Sequence, residues 1–153
     1  MAYNKSKAKG ATYESKIAKV LTETYGIDFK RVPLSGSLEY WKGDIFPPKH
    51  LHVWPYSLEV KHYKELEFKN LLTAKSNDIY SFWKQAVEQA KKMEAEPLLI
   101  FRWNRSKDYI VWNTSFNCKK QMEITAFNYN FKIALLEDWL LENKELLIKL
   151  KNS

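Results

Sequence analysis

The run from Ile79 to Met93 constrains this 153-residue chain more than any other. Ile79, Phe82, Trp83, Ala86, Val87, Ala90 and Met93 recur at the spacing of a single helix face, while Lys84, Gln85, Gln89 and Lys91 lie off that stripe. A helix so patterned needs an apolar surface to lie on. Asp78 is placed to cap its start, and Pro97 ends the connection that follows it. Strand-like apolar runs stand on both sides, at 54–62 and at 98–101.

The rest of the chain extends this pattern. Residues 1–9 carry Lys5, Lys7 and Lys9 and are predicted to form a loose basic arm. Thr12 is the expected N-cap of a first helix with Tyr13, Ile17, Val20 and Leu21 on its apolar face, stopped at Gly26. A first strand is expected at 27–32, a turn at 33–37, a second strand around Asp44 and the third at 54–62. Residues 63–77 read as a short helix or a lid. A turn at 104–107 joins the 98–101 strand to an antiparallel one at 108–112, and a short strand is expected at 123–126. Leu136, Trp139, Leu140, Leu147 and Leu150 mark a C-terminal helix within 131–151, of about five turns. The order predicts an α/β fold: one domain over 1–153, a central mixed sheet and helices packed on it.

Composition narrows the function. Hydrophobic residues make up 45%, which excludes a disordered chain. Twenty-five Lys and Arg against 18 Asp and Glu give a net charge of +7, which favours a polyanionic partner, nucleic acid before a membrane surface. Cys118 is the sole cysteine, so no internal disulfide is possible and a reducing compartment is expected. No apolar run approaches a membrane span and no signal-peptide core follows Met1, so a cytoplasmic protein is expected.

The chemistry concentrates between Gly43 and His62. In the strand 54–62 Leu58 and Val60 share one face and Glu59 and Lys61 the other. If the piece around Asp44 is the neighbouring strand, Asp44 sits beside Glu59. Two adjacent carboxylates repel unless a cation lies between them, and their hard oxygens suit Mg²⁺, with Mn²⁺ as a substitute. Lys61 then orients an attacking water or neutralises phosphate charge. The plainer reading of Glu59 and Lys61 is a solvated strand face with a weak ion pair. Glu14, at the edge of the first helix's apolar face, has two readings: a partner of the helix dipole, or a third carboxylate aimed over the sheet. Arg31 is a candidate phosphate clamp, and Ser35 and Gly36 lie in a loop small enough for close backbone approach. His50 and His52 have neither a Cys partner nor helical metal spacing, which argues against zinc.

In this order, Lys9-Gly10-Ala11-Thr12-Tyr13-Glu14, Arg31, Ser35-Gly36, Gly43-Asp44 and Leu58-Glu59-Val60-Lys61 resemble the PD-(D/E)XK nuclease superfamily. Within it, residues 9–103 look like the archaeal-type Holliday junction resolvases. The resemblance implies a restriction-endonuclease-like core and a catalytic set of Glu14, Asp44, Glu59 and Lys61. Asp44, Glu59 and the carbonyl of Val60 would hold the metal, and Lys9, Lys16, Arg31, Ser35, Gly36 and Lys42 would contact DNA. Gln85 resembles a supporting Gln of some branches. It further implies a homodimer that cuts four-way DNA junctions in recombination and repair, in a prokaryotic or phage-infected cell. Gly43 stands where the superfamily name has Pro, and Ser15 where the resolvases usually carry a basic residue. Residues 45–57 and the tail after Trp112 match nothing in the pattern.

Three other readings remain open on sequence: a restriction-like or recombination nuclease on linear or single-stranded DNA, a non-catalytic nucleic-acid-binding module, and an interaction protein that binds no nucleic acid. Tyr40, Trp41, Trp54 and Tyr63 near the site serve either as wedges at a branch point or as packing.

Overall fold

A computed structural model describes residues 2–32 and 43–152, with the side chains of 10–32 and 43–152. The middle of the fold is a parallel pair, β3 (Tyr56–Tyr63) and β4 (Glu96–Trp103), in register from Tyr56 opposite Glu96 to Tyr63 opposite Trp103. Parallel neighbours need a crossover, and helix α2 (Asp78–Lys92) supplies it, as its apolar stripe requires. On the β3 side the sheet continues antiparallel through β2 (Ile45–Phe46) to β1 (Lys30–Arg31). On the β4 side it continues through β5 (Tyr109–Trp112) and β7 (Tyr129–Leu135) to β6 (Met122–Ala126). Among the described residues the sheet has seven strands in the order β1-β2-β3-β4-β5-β7-β6. The mixed α/β architecture expected from the sequence is therefore present.

Strand alternation divides the core in two. Leu58, Val60, Leu98, Ile100, Ile110 and Trp112 face α1 (Ala2–Tyr25), α3 (Leu136–Glu142) and α4 (Lys144–Lys151), and pack with Ile17, Leu21, Trp139 and Leu150. Leu99, Phe101, Val111 and Ile133 face the other way, against Ile79, Phe82, Trp83 and Ala86 of α2. Leu66 and Leu71, from the segment before α2, join this second cluster as turns, where a short helix or lid was expected.

Several boundaries differ from expectation: Thr12, the expected cap of the first helix, lies inside α1, and the strand expected at 27–32 is only Lys30–Arg31. Residues 2–9 are the first turns of α1, not a loose arm: Ala2, Ala8 and Ala11 favour helix, no Pro interrupts, and Gly10 is tolerated within it. The cap of α2 is Asn77, one residue before Asp78; its Oδ1 accepts from the Ile79 N–H at 2.8 Å, and its amide is tied back to the Glu67 carbonyl at 2.9 Å. The single C-terminal helix over 131–151 is replaced by β7, α3 and α4, with α3 and α4 separated by the buried Asn143 in non-helical backbone. β6 and β7 form a hairpin whose two loop residues, Phe127 and Asn128, both have positive φ (53° and 69°), the mirror-image turn that strand twist favours.

Candidate active site

The register of β2 on β3 decides where the carboxylates stand. Ile45 pairs with Leu58, and both are fully buried on the α1 side. One step along the antiparallel pair, Asp44 therefore lies across from Glu59 on the opposite side, towards α2. The Asp44 N–H donates to the Leu58 carbonyl at 2.6 Å, and the Val60 N–H donates to Asp44 Oδ2 at 2.8 Å, which locks the carboxylate towards β3. Gly43 makes this approach possible. A Cβ there would lie 2.9 Å from the Leu58 nitrogen and 3.2 Å from Ser57 Oγ, too close for any side chain without a backbone shift.

Glu59 is 3% exposed, an unusual burial for a carboxylate. Burial pushes its proton affinity up first, and the Asp44 charge second; Lys61 opposes both, and the net result is a pKa of about 8. Asp44 is raised in the same direction, by burial against the counter-effect of the Val60 N–H, with the Glu14 charge adding to the rise. The two carboxyls share a hydrogen bond. Gln85, on α2, brings its amide to 3.5 Å from Glu59 Oε2. Lys61 projects from the same strand face, its ammonium 5.7 Å from the centre of the Phe82 ring.

Glu14 is close enough to raise both carboxylates, but its own Oε2 is bound by Arg31 Nε at 2.8 Å. The structure thus pairs Glu14 with the residue expected to clamp phosphate, at the β1 edge of the acidic pair. Lys16 lies away from that edge, half exposed, 3.6 Å from Asp108. Asp108 also accepts from the Tyr13 hydroxyl at 2.8 Å. Around Tyr13 the structure adds two basic groups the sequence reading did not select: His62, ring centres 5.3 Å apart, and Arg102, 5.8 Å from the ring. Thr12, Tyr13, Lys16, His62 and Arg102 line a cavity of about 200 Å³. The clue lay in the sheet, where His62 and Arg102 are register partners on β3 and β4. Trp54 is a core residue, edge-on to Phe29 and Tyr56, and not a wedge, whereas Tyr63 is exposed. Ser35, Gly36, Tyr40, Trp41 and Lys42 lie outside the described residues, as does the side chain of Lys9.

Among the described residues no three His, Cys, Asp or Glu side chains converge as a ready metal cage. Asp44 and Glu59 are instead a pair of hard oxygen donors next to the backbone of Val60, and burial first, with neighbouring carboxylate charge second, drives both towards protonation. A divalent cation would offset the cost of two buried negative charges, so the donor set fits one that keeps several waters or substrate oxygens. Among the described residues no helix is long and apolar enough to cross a membrane.

The chain is similar to known proteins. Protein D14 of Escherichia phage T5 is 30% identical over 146 residues, covering 88% of this chain and 91% of that protein. A solved structure of Archaeoglobus fulgidus Hjc, a Holliday junction resolvase, is 21% identical, with a TM-score of 0.46 over 91% of this chain and 98% of that one. Residues 5–149 match the model of the family described as "Phage putative PDDEXK endonuclease", and the chain belongs to that endonuclease family.

Proposed function

We propose that this protein is a metal-dependent DNA endonuclease whose reaction centre is Asp44, Glu59 and Lys61, and that it acts as a homodimer on branched DNA, four-way junctions first. The observation that carries the reading is the buried Glu59 facing Asp44 across an antiparallel pair, with Lys61 two residues on along the same face. A protein that only bound phosphate would gain nothing from this pair, since two crowded carboxylates repel DNA. The net charge of +7 supplies the non-specific attraction such an enzyme needs.

Asp44, Glu59 and the Val60 carbonyl would hold Mg²⁺ or Mn²⁺, which supplies polarisation of the phosphate and a lowered pKa for a bound water. The chain's own groups do the remainder. The Val60 N–H fixes the direction of Asp44, and Gln85 steadies Glu59. Lys61 would place a positive charge near the attacking oxygen and the non-bridging oxygens, where the pentacoordinate transition state gathers negative charge. Arg31, oriented by Glu14, stands at the β1 edge as the contact for the flanking phosphate. Preference for four-way junctions follows the motif resemblance, and a two-fold dimer would present two such centres to a two-fold junction.

The test is cleavage of a labelled four-way junction beside a linear duplex and a single strand of the same sequence, with Mg²⁺ and with chelator, by the parent and by Glu59→Ala. Paired symmetric cuts confined to the junction, dependent on metal and on Glu59, are expected. Metal-dependent cutting of all three forms removes the junction preference and keeps the nuclease. Tight binding with no cutting of any form overturns the reading. Sedimentation of the free protein reports the dimer.

A further inference from the structure

Along β3 the residues of the catalytic face come in the order Glu59, Lys61, Tyr63. Strand geometry separates each from the next by about 7 Å, a span that one extended nucleotide covers. Tyr63 is the last residue of the strand and 43% exposed, although it is a large aromatic beside a cluster that buries most others. One side of its ring leans on Phe82, with centres 4.8 Å apart and planes at 31°. Phe82 itself is 6% exposed and also carries the Lys61 ammonium at 5.7 Å. Phe82 therefore lies against both Lys61 and Tyr63, and Tyr63, 43% exposed, stands one nucleotide's length beyond the charge that faces the phosphate.

An exposed aromatic so placed offers what a nucleobase outside a duplex requires, a π-face supported from behind. A base held in a duplex already has both faces stacked and cannot use it. We propose that Tyr63 stacks on an unpaired base next to the phosphate that faces Lys61, and so selects DNA in which that base is out of the helix. This rests on the nuclease reading above and adds the substrate feature the site recognises.

The test separates a stacking ring from a packing one. Tyr63→Leu keeps an apolar group against Phe82 and removes the π-face; Tyr63→Phe keeps both. Single-stranded and junction DNA carrying 2-aminopurine beside the cut is titrated with full-length protein in chelator. Quenching is expected with the parent and Tyr63→Phe and not with Tyr63→Leu, and the ratio of cleavage at unpaired over paired sites should fall about tenfold in Tyr63→Leu. The parent alone gives a second measurement: 5-iodouracil at the same position should crosslink to Tyr63 on irradiation. Equal quenching and an equal cleavage ratio in Tyr63→Leu, or a crosslink only to other residues, overturn the assignment while leaving the nuclease intact. A parent that neither binds nor cuts DNA overturns the nuclease reading and this inference with it.

Discussion

Glu59→Gln should make the metal-free protein more stable at neutral pH while removing its activity. An ordinary glutamate has a pKa near 4.5, and in the fold burial and Asp44 raise that of Glu59 to about 8. A raised carboxylate pKa means that the native state binds the proton more tightly than the unfolded chain does. The fold therefore pays nothing for Glu59 below about pH 4.5, loses stability as pH rises from there, and stops losing it above about pH 8. Each pH unit in that window is worth about 1.4 kcal/mol, so at pH 7 the proton that Glu59 must take up on folding costs the native state about 3 kcal/mol. Relaxation of the pair and the single proton it shares with Asp44 reduce this, which leaves about 1–3 kcal/mol to be recovered by the neutral isostere. Gln keeps the volume and a hydrogen bond to Asp44.

Urea unfolding of the parent and the variant in chelator, at pH 5 and pH 7.5, measures the difference. The midpoints should nearly coincide at pH 5 and separate at pH 7.5, with Glu59→Gln higher. Mg²⁺ should then raise the parent at pH 7.5, because a cation that binds only the folded pair stabilises it by mass action, and should raise the variant less. A variant no more stable than the parent at pH 7.5 would refute the claim that burying the Glu59 carboxyl beside Asp44 costs the fold stability at neutral pH.

Gly43→Ala places a methyl 2.9 Å from the Leu58 nitrogen; the forced shift of β2 should cost about 1–3 kcal/mol in denaturant unfolding and lower the cleavage rate by displacing Asp44. Asn77→Ala removes the α2 cap and its tie to Glu67, so it should cost about 1–2 kcal/mol in thermal unfolding and leave the cleavage rate per folded molecule unchanged. Arg31→Ala frees Glu14 and removes a phosphate contact. It should weaken DNA binding, with a shallower dependence of affinity on salt by about one counterion, measured by anisotropy across a salt series.

What was legible in the sequence is what has a period. The 58–61 alternation specified the buried and the reactive faces of β3, because a one-residue slip would put Glu59 and Lys61 in the main core and Leu58 and Val60 outside it. The stripe of α2 was legible for the same reason, and together they imply the layered sheet. What was not legible depended on one or two residues acting against their local preference. Phe127 occupies a left-handed position that an aromatic seldom adopts, so β7 was hidden behind a hairpin turn without the usual Asn-Gly or Asp-Gly signal. Asn143 breaks a leucine pattern that runs unaltered from Leu136 to Leu150, and apolar spacing alone cannot report the interruption. Glu14 shows the limit most clearly. Helical spacing put it at the margin of the apolar face, where a small rotation of α1 turns it to the dipole, to the sheet or to a neighbouring strand. Its direction is decided by Arg31 on β1, 17 positions away, and by the two carboxylates whose protons it helps to hold. That is a property of how α1 lies over the β1 edge, and no stretch of sequence around Glu14 encodes it by itself. The same reasoning makes the Glu14–Arg31 pair the part of the site most open to change by packing: a substitution at Tyr13 or Ile17 that rolls α1 should alter the pair without touching Asp44 or Glu59, whose positions are set by the β2–β3 hydrogen bonds.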